Sequence, residues 1–265
     1  MSTGSTFDRY QHGDSAIHRL DPRVKVVITL LFIVSNVILP DGAWPAFAAA
    51  WGVLILASAL ARLAPAFLLR RSFLALPFAL AAVTVLFTQP GQPLWSLRVP
   101  GSTLAISDAG LVRFASILAR SWLSVQMAIL LTATTQFPDL MHALRHLRVP
   151  GVIVAIIGFM YRYLFVLADE AGRLLRARAA RSAGTARGSG GGRLVWRARV
   201  AGAMVGQLFV RSFERSERVY NAMVARGYRG HLLTMSPHVI TQRDRLALAL
   251  AVIVLAFIQV AGHSL

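Results

Sequence analysis

The sequence predicts an all-α polytopic membrane protein, with about five transmembrane helices and two long cytoplasmic helices. Three observations carry that prediction. Of the 265 residues 56% are hydrophobic and only 15% charged, with a mean hydropathy of +0.59, a composition suited to lipid. The apolar residues are gathered into runs that approach the roughly 20 residues needed to cross hydrocarbon. The formal net charge is nonetheless +17, nearly all of it arginine lying outside those runs, and excess Lys/Arg marks the cytoplasmic face of a membrane protein.

The same features exclude other classes. The basic residues flank apolar spans and no nucleic-acid motif accompanies them, so a nucleic-acid partner is not expected. Cysteine is absent, which removes a disulfide framework and any thiolate metal site. Met1 to Lys25 is polar and mixed in charge, without the apolar core and small-residue site of a cleavable signal.

Five runs read as spans: Val24–Leu39, Trp44–Ala61, Ser72–Phe87, Phe114–Thr134 and Leu246–Val260. Pro77 is expected to kink the third. A sixth run, Gly151–Ala168, carries Gly158 and Arg162 and leads straight into a basic segment. From Asp169 to Gly230 thirteen arginines stand against four acids, so that segment belongs inside. With the N-terminus inside and four crossings before Gln136, this holds only if Gly151–Ala168 does not cross. It then lies in or along the cytoplasmic face, and the last span leaves the C-terminus outside. The expected organisation is a four-span membrane bundle (1–135), a cytoplasmic or interfacial module (136–230) and a C-terminal transmembrane helix (231–265). Between the third and fourth spans, Leu94–Val99 and Ser102–Ile106 flank Pro100-Gly101 and read as a β-hairpin.

Within the module, Pro150 suits the first turn of a helix that can run to about Ser182. A Gly-rich linker, Ala183–Gly192, follows; no Gly-Lys-Ser/Thr accompanies it, so it is not a phosphate loop. A second helix runs from about Leu194 to Arg226, its apolar residues recurring on one face (Val200, Met204, Leu208, Val219, Met223). Glu214 and Arg218 are spaced as an i,i+4 pair. Each helix closes on a small-Arg-small triplet: Ala180-Arg181-Ser182 and Ala225-Arg226-Gly227. A guanidinium without bulky neighbours at a helix end is suited to a groove on another protein, where its fork can meet carboxylates or carbonyls. Two similar tips suggest two similar partner subunits.

His142 and His146 have metal-ligand spacing but no third ligand and no zincin glutamate, and read as part of a solvated cytoplasmic face. Arg113 reads as an outer-interface residue. Arg120, with Ser121, Ser124 and Gln126, is expected to face the bundle interior. No Walker motif, Cys nucleophile or paired carboxylates at active-site spacing are present, so the chain reads as non-catalytic. A stand-alone secondary transporter would show weak inverted repeats, and none is visible.

Three residue sets give the chain a family resemblance. Leu20-Asp21-Pro22-Arg23-Val24-Lys25 precedes the first span, and Asp21 can cap a helix that begins with Pro22. Ala180-Arg181-Ser182 and Ala222-Met223-Val224-Ala225-Arg226-Gly227-Tyr228 end the two long helices. Together they resemble the T component of energy-coupling factor (ECF) transporters, over nearly the whole chain. Asp8-Arg9-Tyr10 and Ser15–Leu20 are most similar to the cobalt and nickel branch, CbiQ. The resemblance implies a scaffold subunit of an ATP-driven importer in the bacterial cytoplasmic membrane. Its two coupling arginines, Arg181 and Arg226, would dock into a pair of ABC-type ATPases, and a separate capture protein would sit against the long helices. It implies a cargo of cobalt or nickel, with a vitamin as the alternative. It implies no cofactor and no metal site on this chain, ATP being bound by the ATPases.

Overall fold

A computed structural model describes residues 10–11, 13–63, 65–88, 92–99, 102–182, 194–230 and 240–264. These form two compact units, one from residues 10–143 with 240–264, the other from residues 144–230.

In the first unit α1 (Pro22–Ile38) begins where the sequence places it. Pro22 occupies the first turn, and the Asp21 carboxylate accepts from Arg23 N at 2.8 Å, satisfying one of the amides a helix start leaves unpaired. α2 (Trp44–Leu60) follows a short turn. The third expected span is not one helix. It is divided into α3 (Pro65–Arg71), a 3₁₀ turn (Ser72–Ala75), α4 (Leu76–Ala82) and α5 (Val85–Thr88). Pro77 brings no N–H to the ladder. The Ser72 and Thr84 hydroxyls donate to Leu68 O (2.7 Å) and Ala81 O (3.0 Å), a back-bonding that bends helices.

The hairpin forms as β1 (Pro93–Val99) antiparallel to β2 (Ser102–Ser107), with Leu97 opposite Leu104; the Pro100-Gly101 turn lies outside the described residues. Ser107 then caps α6 (Asp108–Thr134), accepting from Gly110 N at 3.0 Å. α7 spans Phe137–His146, and α10, Gln242–His263, closes the chain. Phe32, Phe47, Leu54, Leu123, Leu130 and Leu255 are buried together in the core. Lipid is as apolar as these side chains, so close fit rather than escape from water holds the helices. Gly262 shows that fit: a Cβ there would lie 2.5 Å from Leu39 Cδ2 and 3.1 Å from Ala46 Cβ.

The second unit is two helices, α8 (Gly151–Ser182) and α9 (Leu194–Ala225). Both end within a residue of their expected limits. Pro150 sits just before the first helical residue, where its carbonyl accepts from Ile153 N. The Gly-rich linker lies outside the described residues.

Among the described residues three helices are long and apolar enough to cross a membrane: Asp108–Thr134, Gly151–Arg181 and Gln242–His263. Trp44–Leu60 is apolar but shorter. The first, second, fourth and fifth expected spans thus appear as helices, two of them shorter than 18 residues.

Candidate functional site

The two arginine-tipped helix ends lie on α8 and α9. At the end of α9 the backbone closes in a Schellman turn. Tyr228 N donates to Met223 O (3.0 Å) and Gly227 N to Val224 O (2.9 Å), with Gly227 at φ +83°. That left-handed conformation is costly for a residue with a Cβ, so the glycine of the triplet is the helix stop. Ala180, Arg181, Ala225, Arg226 and Gly227 are all exposed. Among the described residues no carboxylate pairs with Arg181 or Arg226. Ser182 is the last residue of α8.

The contacts between α8 and α9 define their direction. Ile156, Met160 and Tyr163 of α8 line one groove, of about 410 Å³, with Ser216, Tyr220 and Met223 of α9. Further along α8, the Glu170 carboxylate accepts from Arg211 Nη1 at 2.8 Å, and Arg211 lies further back along α9. The helices are therefore antiparallel, and their arginine tips point to opposite ends of the pair. At 1.5 Å per residue the tips are on the order of 40 Å apart along it. Glu214 and Arg218 do not form the expected ion pair, whereas Glu170 pairs with Arg173 and Arg211.

In the other unit, the Asp21–Lys25 motif ties three further elements to the start of α1. Asp21 N donates to Asp244 Oδ1 of α10 at 2.9 Å. Asp244 also accepts, through Oδ2, from Thr241 N (2.8 Å) and Thr241 Oγ1 (2.6 Å). Arg23 Nη2 bonds His142 Nε2 of α7 at 3.0 Å. Lys25 Nζ donates to His18 O and to Thr134 O, each at 3.0 Å, and Thr134 ends α6, where carbonyls lack helical partners and a cation is favoured. Asp21, Lys25, Thr134 and Asp244, with Tyr10, His18 and Asp139, line a polar cavity of about 190 Å³.

His142 is a correction to the sequence reading. It is buried, at 9% exposure, rather than solvated. Arginine has donors only, so the histidine Nε2 facing Arg23 is the acceptor and the ring proton sits on Nδ1. His146 is exposed. No group of three or more His, Asp or Glu with the geometry to hold a metal exists among the described residues.

Arg113 and Arg120 share one partner. Asp41 lies 2.8 Å from Arg120 Nη2 and 3.8 Å from Arg113 Nε, and Arg120 also donates to Leu39 O. Gln126 is buried, as its expected inward orientation requires.

Sequence reasoning missed Asp244, Glu170 and Arg211. Thr241-x-x-Asp244 is legible as a capping-box spacing, but its bond to Asp21 is not. Glu170 and Arg173 have a legible helical spacing, but the third member comes from another helix.

An α-helical bundle with helices long and apolar enough to cross a membrane, continuous in sequence with a basic two-helix unit, is the build of a multi-pass membrane protein. Comparison with known proteins makes this specific. Residues 13–237 match the family CbiQ, cobalt transport protein. The energy-coupling factor transporter transmembrane protein EcfT of Acidaminococcus fermentans is 30% identical, over 87% of this chain and 85% of that protein. Its counterpart in Lacticaseibacillus paracasei is 28% identical, over 84% of each chain. An uncharacterized protein of Methanocaldococcus jannaschii is 25% identical, over 95% of this chain and 85% of its own. The chain belongs to the CbiQ/EcfT family of ECF-transporter transmembrane components, and is a non-catalytic subunit.

Proposed function

We propose that this chain is the scaffold that links two ABC-type ATPases to a substrate-capture membrane protein, with Arg181 and Arg226 as the ATPase contacts. The carrying observation is the antiparallel pair: two helices of 32 residues each, with one exposed arginine tip at each far end. Two similar ATPases need two similar contacts held apart, and this pair would supply them. Closure of the ATPases around ATP, which they bind, would draw the tips together. The movement would reach the apolar groove of α8 and α9, where the capture protein would rest. Lipid surrounds the bundle. Ala180 and Ser182, like Ala225 and Gly227, keep the flanks of each arginine small enough to enter a groove.

The proposed orientation puts the N-terminus in the cytoplasm and the C-terminus outside, with Gly151–Ala168 lying along the inner face. The arginine block from Asp169 onward supports it. The proposed cargo is cobalt or nickel, supported by the family's cobalt transport description. The EcfT relatives' names specify no cargo, so a vitamin-specific capture partner is the second reading; the identity of the co-purifying membrane protein decides between them.

The test is co-purification and uptake. The tagged chain should bring down an ATPase pair. Arg181→Glu with Arg226→Glu should insert normally yet lose the ATPases or uncouple hydrolysis from uptake. A charge buried in a partner's groove and left unpaired costs on the order of 3–5 kcal/mol, an exposed one about 0–1 kcal/mol. Arg187→Glu with Arg193→Glu is the control and should change little. If both double variants keep ATPase binding and uptake alike, the tips are ordinary surface charge.

A further inference from the structure

We propose that Glu170 is the pin of the two-helix unit, a positioning residue that fixes where α8 and α9 cross and hence where Arg181 and Arg226 are presented. The inference rests on the reading of those two arginines as ATPase contacts.

The charge distribution makes the pin necessary. Together α8 and α9 carry ten arginines against four acids, so two helices laid side by side here repel one another. Glu170 is the acid placed between them. Its side chain is 13% exposed, whereas the arginines it meets are about half exposed. One oxygen accepts from Arg211 of α9 at 2.8 Å; the other accepts from Arg173, one turn along α8 itself. Arg173 holds the carboxylate in place and Arg211 is the link to the other helix. Charge-assisted bonds of this kind are directional. The apolar contact beside them is incomplete, because the 410 Å³ groove opens between the helices immediately on one side.

The position matters as much as the bond. Arg181 lies about 16 Å from the pin along α8 and Arg226 about 22 Å along α9. A change of about 10° in the crossing would swing Arg226 by about 4 Å, more than the span of a hydrogen bond. A half-exposed ion pair adds little to stability, so its consequence here is geometric.

The chain has no cysteine, so nitroxide labels can be placed cleanly on cysteines introduced at exposed Ala177 and Ala222 in the full-length protein in nanodiscs. Wild type should give one narrow distance distribution by pulsed EPR. Glu170→Gln should broaden it at unchanged melting temperature, and the full reversal, Glu170→Arg with Arg173→Glu and Arg211→Glu, should narrow it again. In the reconstituted transporter, Glu170→Gln should keep the ATPases bound and raise the ATP consumed per substrate by about two- to fivefold, with the charge swap restoring the ratio. Glu214→Gln, on α9 but in no ion pair among the described residues, should match wild type in both measurements. A Glu170→Gln distribution and ratio equal to wild type, or a swap that restores neither, overturns the proposal. If wild type holds no ATPases, the proposed function fails, while the EPR comparison still decides the pin.

Discussion

Arginine has opposite fates in the two units. In the bundle, Arg23 and Arg120 have side chains only 16% and 21% exposed, and each is tied to another element: Arg23 to His142, Arg120 to Asp41 and the Leu39 carbonyl. In the two-helix unit, Arg181 and Arg226 are exposed, with no carboxylate against them among the described residues. These largely covered arginines are committed to contacts within the bundle, since a charge withdrawn from water is costly unless it is paired. The tip arginines leave their donor forks available. The difference teaches that charge alone does not mark function in this chain; the state of the partner does. Exposed apolar surface divides in the same way. On α10, Leu250, Phe257 and Val260 are more than 60% exposed and suit a lipid-facing helix. On α9, Phe209, Phe213 and Tyr220 are 58–70% exposed on a helix rich in arginine, which suits an interface.

The comparison breaks most visibly if the polar knot of the bundle proves dispensable. Asp244 is 4% exposed and accepts from Asp21 N, Thr241 N and Thr241 Oγ1. Hydrogen bonds to a charged group contribute about 1.5–3 kcal/mol each, and donors left unmet in a buried site cost more than the bond was worth. Asp244→Ala should therefore destabilise the protein by at least about 3 kcal/mol, read as a large fall in the detergent melting temperature. Asp244→Asn keeps an acceptor and should recover part of that loss. A melting temperature unchanged in Asp244→Ala would show that the knot does not hold the bundle.

In the other unit the matching change is smaller and local. Gly227 stops α9 at φ +83° with no atom within 4 Å of the place a Cβ would take. Gly227→Ala thus meets no steric neighbour, only the backbone penalty of roughly 1–2 kcal/mol for a left-handed residue. The amide of Tyr228, bonded to Met223 O, should exchange severalfold faster, while the amides of α1 and α6 stay as protected as in wild type. Faster exchange spread through the bundle would mean that the tip is not the independent end described here.

These contrasts were only partly legible in the sequence. The two long helices were, because the apolar spacing persists over many turns and Pro150 and Gly227 punctuate it. The arginine tips were legible for the same reason. The third span was not. Its hydrophobicity reads as one run, while Ser72, Pro77 and Thr84 redirect the backbone hydrogen bonds that a continuous helix needs. His142 was misread because the residues three and four places away, Asp139, Arg145 and His146, are polar, and its bonded partner, Arg23, lies 119 residues away. Asp21 and Asp244 are 223 residues apart. The motif at the start of α1 could be seen as a cap, but its tie to α10 depends on tertiary packing. Periodicity reports what a segment does with itself, so helix ends set locally were legible and ties set by contact between elements were not.

The smallest expected effect lies where the bundle's polar knot meets the N-terminal segment, outside the spans. The His18 ring bonds Ser15 Oγ through Nδ1 at 2.7 Å and the Gln11 carbonyl through Nε2 at 3.1 Å. Burial lowers its pKa below the ordinary 6.5, and nearby Lys25 pushes the same way, against the raising effects of the Gln11 carbonyl and Asp14. The folded protein then binds fewer protons than the unfolded chain as pH falls through 6.5, so stability declines on acidification through that value and levels off below the folded pKa. Above about pH 7 the contribution is constant. The local reporter is the Gln11 amide, which donates to Ala133 O at 3.0 Å. After correction for intrinsic rates, its protection should fall modestly between pH 7.5 and pH 5.5, while that of the Tyr228 amide in the other unit stays level. In His18→Gln, which cannot titrate, the Gln11 amide should be flat across the range. Protection that rises on acidification would mean the ring is held charged rather than neutral, and would reverse the sign of the argument at this site.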